Sequence, residues 1–495
     1  FWLKLLLLCV FTFRAMAWTA WHGCSQGLMG PSNVVKERVE IIRPDGQSTD
    51  STKVIKLRAG DSMFGMMPLP FATYPAIALR YSAVDVGQLK KSLAQALKDV
   101  PILAGRVRHD GSDAYEVVLN GEGVPFKTVE CSEATAPEFV EEFKLPDFAT
   151  FCRPPAVRAG REPLMTIRLT MYKDGSSILA FCRSHMLFDG TSAWTFLAYW
   201  ASLSRGEFAE PPVWSRDKIV EMIPDEDQVQ KMAEQEIGKQ LTQSWFMGMV
   251  GKLLIPVLAP VVDTMFLHAR FGLDRHRLYF SDQELAAIKD MATPKEVPPG
   301  HDNWVTTQEA FCAYLLMTLG KHILEPGEQR NAQMMFLLDA RKALQLPPNQ
   351  LMGGGMTFTS IMVADLLSLS LSQIACHLHA ELTKGVGSTQ SQKRRWQLLN
   401  GACEKKLEHA LMQEIHYPRG GQIDMKLAVN NSSKRPLLNF GSGPAESVVS
   451  DAGPSILVPA KGGLYLYLDP QVFSSAKCKP EQRSEALKAL RGDLP

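Results

Sequence analysis

Ile178-Leu179-Ala180-Phe181-Cys182-Arg183-Ser184-His185-Met186-Leu187-Phe188-Asp189-Gly190 is the stretch on which the reading of this 495-residue chain turns. A short apolar run closed by a small-residue turn reads as a buried strand. His185 then stands at the tip of that strand, where an α/β enzyme holds a general base. An imidazole changes charge near neutral pH, so it can both take and return a proton. From Thr191 to Tyr199 the residues Trp194, Phe196 and Leu197 read as a helix start, with Asp189 available as its cap. The bare His-x-x-x-Asp spacing is not diagnostic. His109 and Asp113 repeat it in a polar Gly/Asp turn, followed by Ala114 rather than Gly. A core histidine, with Asp189 acting only as a helix cap, is the competing reading of the local pattern.

Working outward, Met165 to Met171 alternates as a strand, and Lys173-Asp174-Gly175 turns the chain into the strand that ends at His185. Val86, Leu89, Leu93, Leu97 and Val100 mark one face of an amphipathic helix. Residues 25–50 are punctuated by Gly, Pro and Ser and read as a lead-in loop. Asp225 to Ser244 is charged and helical in pattern. Trp245 to Leu267 is apolar but carries Lys252, Pro256, Pro260 and Asp263, which fit a buried or interfacial connector better than a spanning helix. Alternation resumes at His276. Leu278 to Phe280 is strand-like, Ser281 and Glu284 form a capping-box pattern, Thr307 to Leu319 is an apolar helix and Leu464 to Leu468 a late strand. The expectation is an α/β protein of two similar mixed-sheet domains. Residues 1–50 would be leader and lead-in loop, 51–216 the N-terminal domain, 217–275 a long crossover and 276–495 the C-terminal domain.

The formal net charge is +1, so no global field recruits nucleic acid or anionic membrane. Nine cysteines lie scattered without a Cys-x-x-Cys pair, which points to free thiols, a reducing cytoplasmic setting and no zinc. Lys4, the run Leu5 to Phe13 and Ala15-Met16-Ala17 resemble a signal peptide, so a targeted form, or one touching a membrane through Leu5–Phe13 or Trp245–Leu267, is the rival expectation. There is no phosphate-binding Gly-x-x-x-x-Gly-Lys loop, dinucleotide fingerprint or metal-ligand spacing.

Further motifs stand in one order over about residues 55–475. They are Leu89 to Leu93 with Pro101-Ile102-Leu103-Ala104-Gly105-Arg106, Gly123 to Phe126, Pro163-Leu164, the histidine stretch, Phe280 to Lys289, Asp339-Ala340-Arg341, Pro347-Pro348 and Gly353 to Gly355. In this order they resemble the BAHD family of acyl-CoA-dependent acyltransferases. The resemblance implies a two-domain fold of the chloramphenicol-acetyltransferase type and a ternary-complex transfer with His185 as general base. Asp189 would be turned away from the pocket and paired with Arg341, and Gly190 would permit the sharp exit from the strand. Acyl-CoA is then a co-substrate rather than a permanent cofactor, the acceptor is a small alcohol or amine, and a monomer suffices.

Two positions depart from the family. Gly354 stands where Asn is usual, and Asn439-Phe440-Gly441-Ser442-Gly443 replaces Asp-Phe-Gly-Trp-Gly, losing a carboxylate and any ion pair it makes. Asn430, Asn431 and Ser432 are polar candidates for an oxyanion site or plain loop residues. Lys393-Arg394-Arg395 is a candidate for CoA phosphates or a solvated basic face. Two rivals remain: a catalytically silent ligand-binding member of the fold, and a condensation- or wax-ester-type acyltransferase, whose motif has His where Ser184 stands.

Overall fold

A computed structural model describes residues 33–46, 53–58, 61, 75–109, 115–139, 145–152, 154–238, 241, 276–296, 302–325, 330–405, 423–450, 455–476 and 478–492. Two six-stranded mixed sheets organise them. The strands are, in chain order, β1 (Val34–Ile42), β2 (Ala76–Tyr81), β3 (Val124–Cys131), β4 (Met165–Met171), β5 (Ser177–Arg183), β6 (His276–Ser281), β7 (Ala332–Asp339), β8 (Met356–Val363), β9 (Met425–Asn431), β10 (Ser447–Ser450), β11 (Ser455–Ala460) and β12 (Gly463–Leu468). The first sheet runs β1-β3-β4-β5-β2-β10 and the second β8-β7-β9-β11-β12-β6. Val54–Lys56, Arg106–His109 and Tyr115–Val118 make a small third sheet. The longer helices among the described residues are α1 (Val86–Asp99), α2 (Gly190–Ser204), α3 (Glu226–Ile237), α4 (Asp282–Ala292), α5 (Thr307–Ile323), α6 (Leu371–Thr383), α7 (Thr389–Glu404) and α8 (Pro480–Gly492).

The central hairpin sets the frame. Every residue of β5 is buried, and a strand covered on both faces carries an unbroken apolar run rather than alternation. The hairpin turn closes with Gly175 at φ +88° and Asp174 Oδ1 accepting the Ser176 N–H at 2.8 Å. Helix α1 is capped by Asp85, whose side chain accepts from Gln88 N, and buries Leu89, Leu93, Ala96 and Leu97. It packs on α2, where Trp200 Nε1 donates to Ser92 Oγ at 3.0 Å. In the second half, Ser281 with Glu284 and Thr306 with Glu309 form complete capping boxes on α4 and α5.

Two boundaries differ from the sequence reading. The lead-in loop expected over residues 25–50 contains β1, which pairs antiparallel with β3. Six of its nine residues in succession are exposed, so neither face leaves an apolar imprint. Lys36, Glu37, Arg38 and Glu40 instead put charge on a sheet edge. The second difference is that the C-terminal half does not stop at its own sheet. Strand β10 pairs antiparallel with β2 at the end of the first sheet, and Leu438, Phe440, Ala445 and Val448 join the N-terminal core.

Within the crossover, α3 starts on an Asp225 cap and ends at Gly238 in the left-handed region. Val229 and Ala233 pack on Leu398, Leu399 and Ala402 of α7. Trp245–Leu267 and Leu5–Phe13 lie outside the described residues. Among the described residues no helix is long and apolar enough to cross a membrane. Cys131, Cys152, Cys182, Cys312, Cys376, Cys403 and Cys478 are free thiols.

Candidate active site at the junction of the two sheets

His185 occupies the turn between β5 and α2, held from below by its apolar neighbours. Met186, Leu187 and Phe188 are buried. The Phe188 ring meets Phe181 edge-on at 5.6 Å and Phe196 at 6.0 Å. The backbone is tied at its start by the Ser184 N–H donating to Leu164 O at 2.7 Å and at its end by the Asp189 N–H donating to Met352 O at 3.0 Å. His185 itself is half-buried.

Asp189 does both jobs that the sequence left open. Its Oδ1 accepts the Ser192 N–H at 2.7 Å, which caps α2. Its two oxygens also meet the Arg341 guanidinium, Oδ2 from Nη1 at 2.9 Å and Oδ1 from Nη2 at 3.0 Å. The carboxylate is thus committed to the helix and the arginine. The guanidinium makes four hydrogen bonds, Nε to Gln350 O, Nη1 to Asp339 Oδ1, and Nη2 to Asp189 Oδ1 and Ser192 Oγ, while Nη1 faces Asp189 Oδ2 as an ion pair. Asp189 is fully buried and Arg341 nearly so. Burial works to lower the Arg341 pKa, but the Asp189 and Asp339 carboxylates outweigh it and the guanidinium is held above its ordinary value. Asp339 Oδ2 in turn accepts from Thr191 Oγ1 at 2.7 Å, and Arg435 Nη2 donates to that same hydroxyl at 2.7 Å.

The glycine series now has a steric cause. A Cβ on Gly353 would lie 2.2 Å from His185 O, and one on Gly355 would lie 2.4 Å from Asp189 Oδ2 and 2.6 Å from Arg341 Nη1. Only glycine lets the segment before β8 lie flat against the histidine turn and the ion pair. Gly355→Ala is therefore expected to cost about 2–4 kcal/mol by prising the buried pair apart, read as a lowered midpoint in chemical denaturation. Gly190 is a correction. Its backbone is helical rather than left-handed, and a Cβ there would meet nothing within 4 Å. The sharp exit is made by the extended Asp189 cap, and glycine leaves open space beside the histidine turn.

Similarity to known proteins agrees with this geometry. Residues 33–246 match a sequence model described as the Transferase family. Rosmarinate synthase of Plectranthus scutellarioides is 28% identical over 276 residues, 53% of this chain and 56% of the synthase. The chain thus spans about half the length of that curated relative. Among solved structures, vinorine synthase superposes with a TM-score of 0.59 at 18% identity, over 91% of this chain and 97% of the synthase. TRI101 of F. sporotrichioides, solved with coenzyme A and T-2, gives 0.57 at 16% identity over 89% and 97%. Over its N-terminal half the chain is similar to acyltransferases of the BAHD kind.

The C-terminal loop that departs from the BAHD pattern lies elsewhere. Ser204 Oγ donates to Phe440 O at 2.8 Å and Arg205 Nη1 donates to Asn439 O, so the loop rides on the C-terminal end of α2. The fifteen residues of α2 run from Gly190 to Ser204, about 21 Å along the axis. The structure therefore brings together His185, Asp189, Gly190 and Arg341, and puts Asn439, Phe440, Gly441 and Gly443 at the far end of the same helix. Phe440 is buried against Trp200, with centroids 4.8 Å apart. Gly441 and Gly443 have φ of +119° and +113°, conformations that require glycine. The Asn439 side chain replaces what a carboxylate would do, since its Oδ1 accepts the N–H of Gly441 at 2.8 Å and of Gly443 at 3.1 Å. Asn439→Ala is expected to cost about 1–2 kcal/mol because two loop donors lose their acceptor. Asn439→Asp is expected to be neutral or stabilising, with thermal unfolding of the two variants as the check.

Other sequence candidates make contacts with neighbouring elements. Asn431 Oδ1 accepts from Ser433 N and Oγ, and the Ser432 N–H donates to Leu457 O. Arg394 pairs with Glu236 at 2.5 Å, and Arg395 donates to Thr359 Oγ1 and Val386 O, so both pin α7 to its neighbours. Residues the sequence did not single out include Ser192, whose hydroxyl exchanges hydrogen bonds with Met352, and the buried pair Asp61–Arg216. Ser192 stands three residues past the cap, a legible N3 signal.

Proposed function

We propose that this chain transfers an acyl group from acyl-CoA to the hydroxyl or amine of a small molecule, with His185 as general base. The imidazole takes the acceptor proton as the acceptor attacks the thioester carbonyl. The tetrahedral intermediate then collapses with cleavage of the C–S bond, and the imidazolium returns the proton to the CoA thiolate. The observation that carries this reading is the histidine turn itself, clamped between the two halves by the Asp189–Arg341 pair rather than relaxed into a core. Asp189 acts as an inter-domain pin and not as a charge relay, because its oxygens are spent on Arg341 and Ser192. Both halves of the site come from one chain, so a monomer is sufficient. The departure at Asn439 gives the silent-binding reading no support, since its loop is intact and remote from His185.

Coenzyme A release from a panel of hydroxycinnamoyl-, malonyl- and acetyl-CoA, with a pooled alcohol and amine extract, tests the proposal. Acceptor-dependent release with a new product mass supports it. Saturable acyl-CoA binding without release from any donor sinks it in favour of a silent binder. Gly190→Ala sharpens the test. The open space around the glycine predicts a folded protein stabilised by up to about 1 kcal/mol but with a raised KM or lowered kcat, because the added methyl enters the space beside the base.

A further inference from the structure

The segment 350–355 that faces His185 is held from both sides. On one side stands Asp189–Arg341. On the other, Asp61 Oδ1 accepts the Gly353 N–H at 2.7 Å, while Asp61 Oδ2 accepts from Arg216 Nε at 2.5 Å. Arg216 Nη1 donates onward to Leu351 O at 2.8 Å and Trp214 O at 2.9 Å. Asp61 is 2% exposed and Arg216 5%. Burial pushes the Asp61 carboxyl upward, opposed by Arg216 and the Gly353 N–H. The two residues are 155 positions apart, one entering the first sheet and the other entering the crossover. Gly353 is where their effect reaches the site, because its Cα carries no room for a methyl against the His185 carbonyl.

We infer that Asp61–Arg216 is a second buried clasp that positions the His185 turn through Gly353. It deepens the acyltransferase reading without touching substrate: Asp61 and Arg216 are positioning residues. Asp189–Arg341 fixes the helix end of the turn, and Asp61–Arg216 fixes the surface on which its carbonyls rest. Loss of either partner frees Gly353 and lets the imidazole drift by a fraction of an ångström. Misplacement of that size is expensive in a reaction that depends on alignment.

The experiment uses the full chain with Asp61→Asn, Arg216→Lys and Gly353→Ala. Arg216→Lys keeps the charge but loses the forked reach to Asp61 and Leu351. In folded Asp61→Asn, kcat is expected to fall about tenfold or more, with KM for acyl-CoA within about twofold. Gly353→Ala gives the same split, and the Asp61→Asn/Gly353→Ala double variant loses less than the product of the two single losses. With histidines carrying 13C, the His185 resonance is identified by its loss in His185→Ala. It should shift in Asp61→Asn while those of His276, His322 and His377 stay fixed. A purely structural role would lower the melting temperature and the active fraction but leave kcat per active site and that resonance alone. Unchanged kcat and an unshifted resonance in a folded variant overturn the clasp. Should Asp61→Asn fail to fold, Arg216→Lys and Gly353→Ala are read by the same criteria. If the wild-type chain transfers no acyl group, the functional reading fails, and the resonance alone decides the clasp.

Discussion

His185→Ala is expected to lower acyl transfer by about 10²–10⁴-fold while the protein stays folded. The loss should fall on kcat, with KM for acyl-CoA nearly unchanged, since in the proposed mechanism the imidazole takes part in a proton transfer and not in binding of the carrier. The half-buried position of the side chain limits the stability cost to about 1 kcal/mol, so circular dichroism and thermal unfolding should match wild type. Residual activity comes from alignment of the two substrates. A folded variant that retains wild-type kcat would remove His185 from the mechanism and leave the turn as scaffold.

Arg341→Ala is expected to have the largest effect on stability, about 3–5 kcal/mol, because it strands a fully buried carboxylate. Four donated hydrogen bonds disappear with it, together with the Nη1–Asp189 Oδ2 ion pair, and Asp339, Ser192 and the carbonyl of Gln350 each lose a partner. Asp189→Asn should cost less, since an amide still accepts the Ser192 N–H and caps α2. Activity should fall in both. In the double variant the losses should be smaller than their sum, which is the signature of a coupled pair. Denaturant midpoints for the four proteins of the cycle measure this directly. Additive losses would mean that the pair stabilises two separate regions rather than one junction.

Much of this architecture is written locally. The β4–β5 hairpin, the faces of α1 and the capping boxes of α4 and α5 depend on neighbours within a few positions, so periodicity and cap chemistry reveal them. Asp189 is legible as a cap for the same reason, and its partner Arg341 only through the likeness to a family, because 152 residues separate them. Asp61–Arg216 lacks even that. Each is a lone charge in an unremarkable stretch, and burial plus a distant partner give it meaning. Strand β1 escapes detection because an exposed edge needs no apolar face, and β10 because four residues with no turn chemistry of their own carry too little pattern. Gly353 and Gly355 are visible as letters, but their reason is the proximity of another segment's carbonyl and carboxylate.

The pairing of β10 with β2 has a consequence for biosynthesis. A ribosome releases β2 and β5 long before it reaches residue 450, and at about 5–20 residues per second the interval from residue 204 to residue 450 lasts roughly 10–50 s. Throughout that time the nascent N-terminal half presents Ala76–Tyr81 as an open, almost wholly apolar edge. Chaperone demand should therefore concentrate on this edge. Truncation anywhere before Ser447 should yield insoluble material, even where the first half alone is large enough for a domain core.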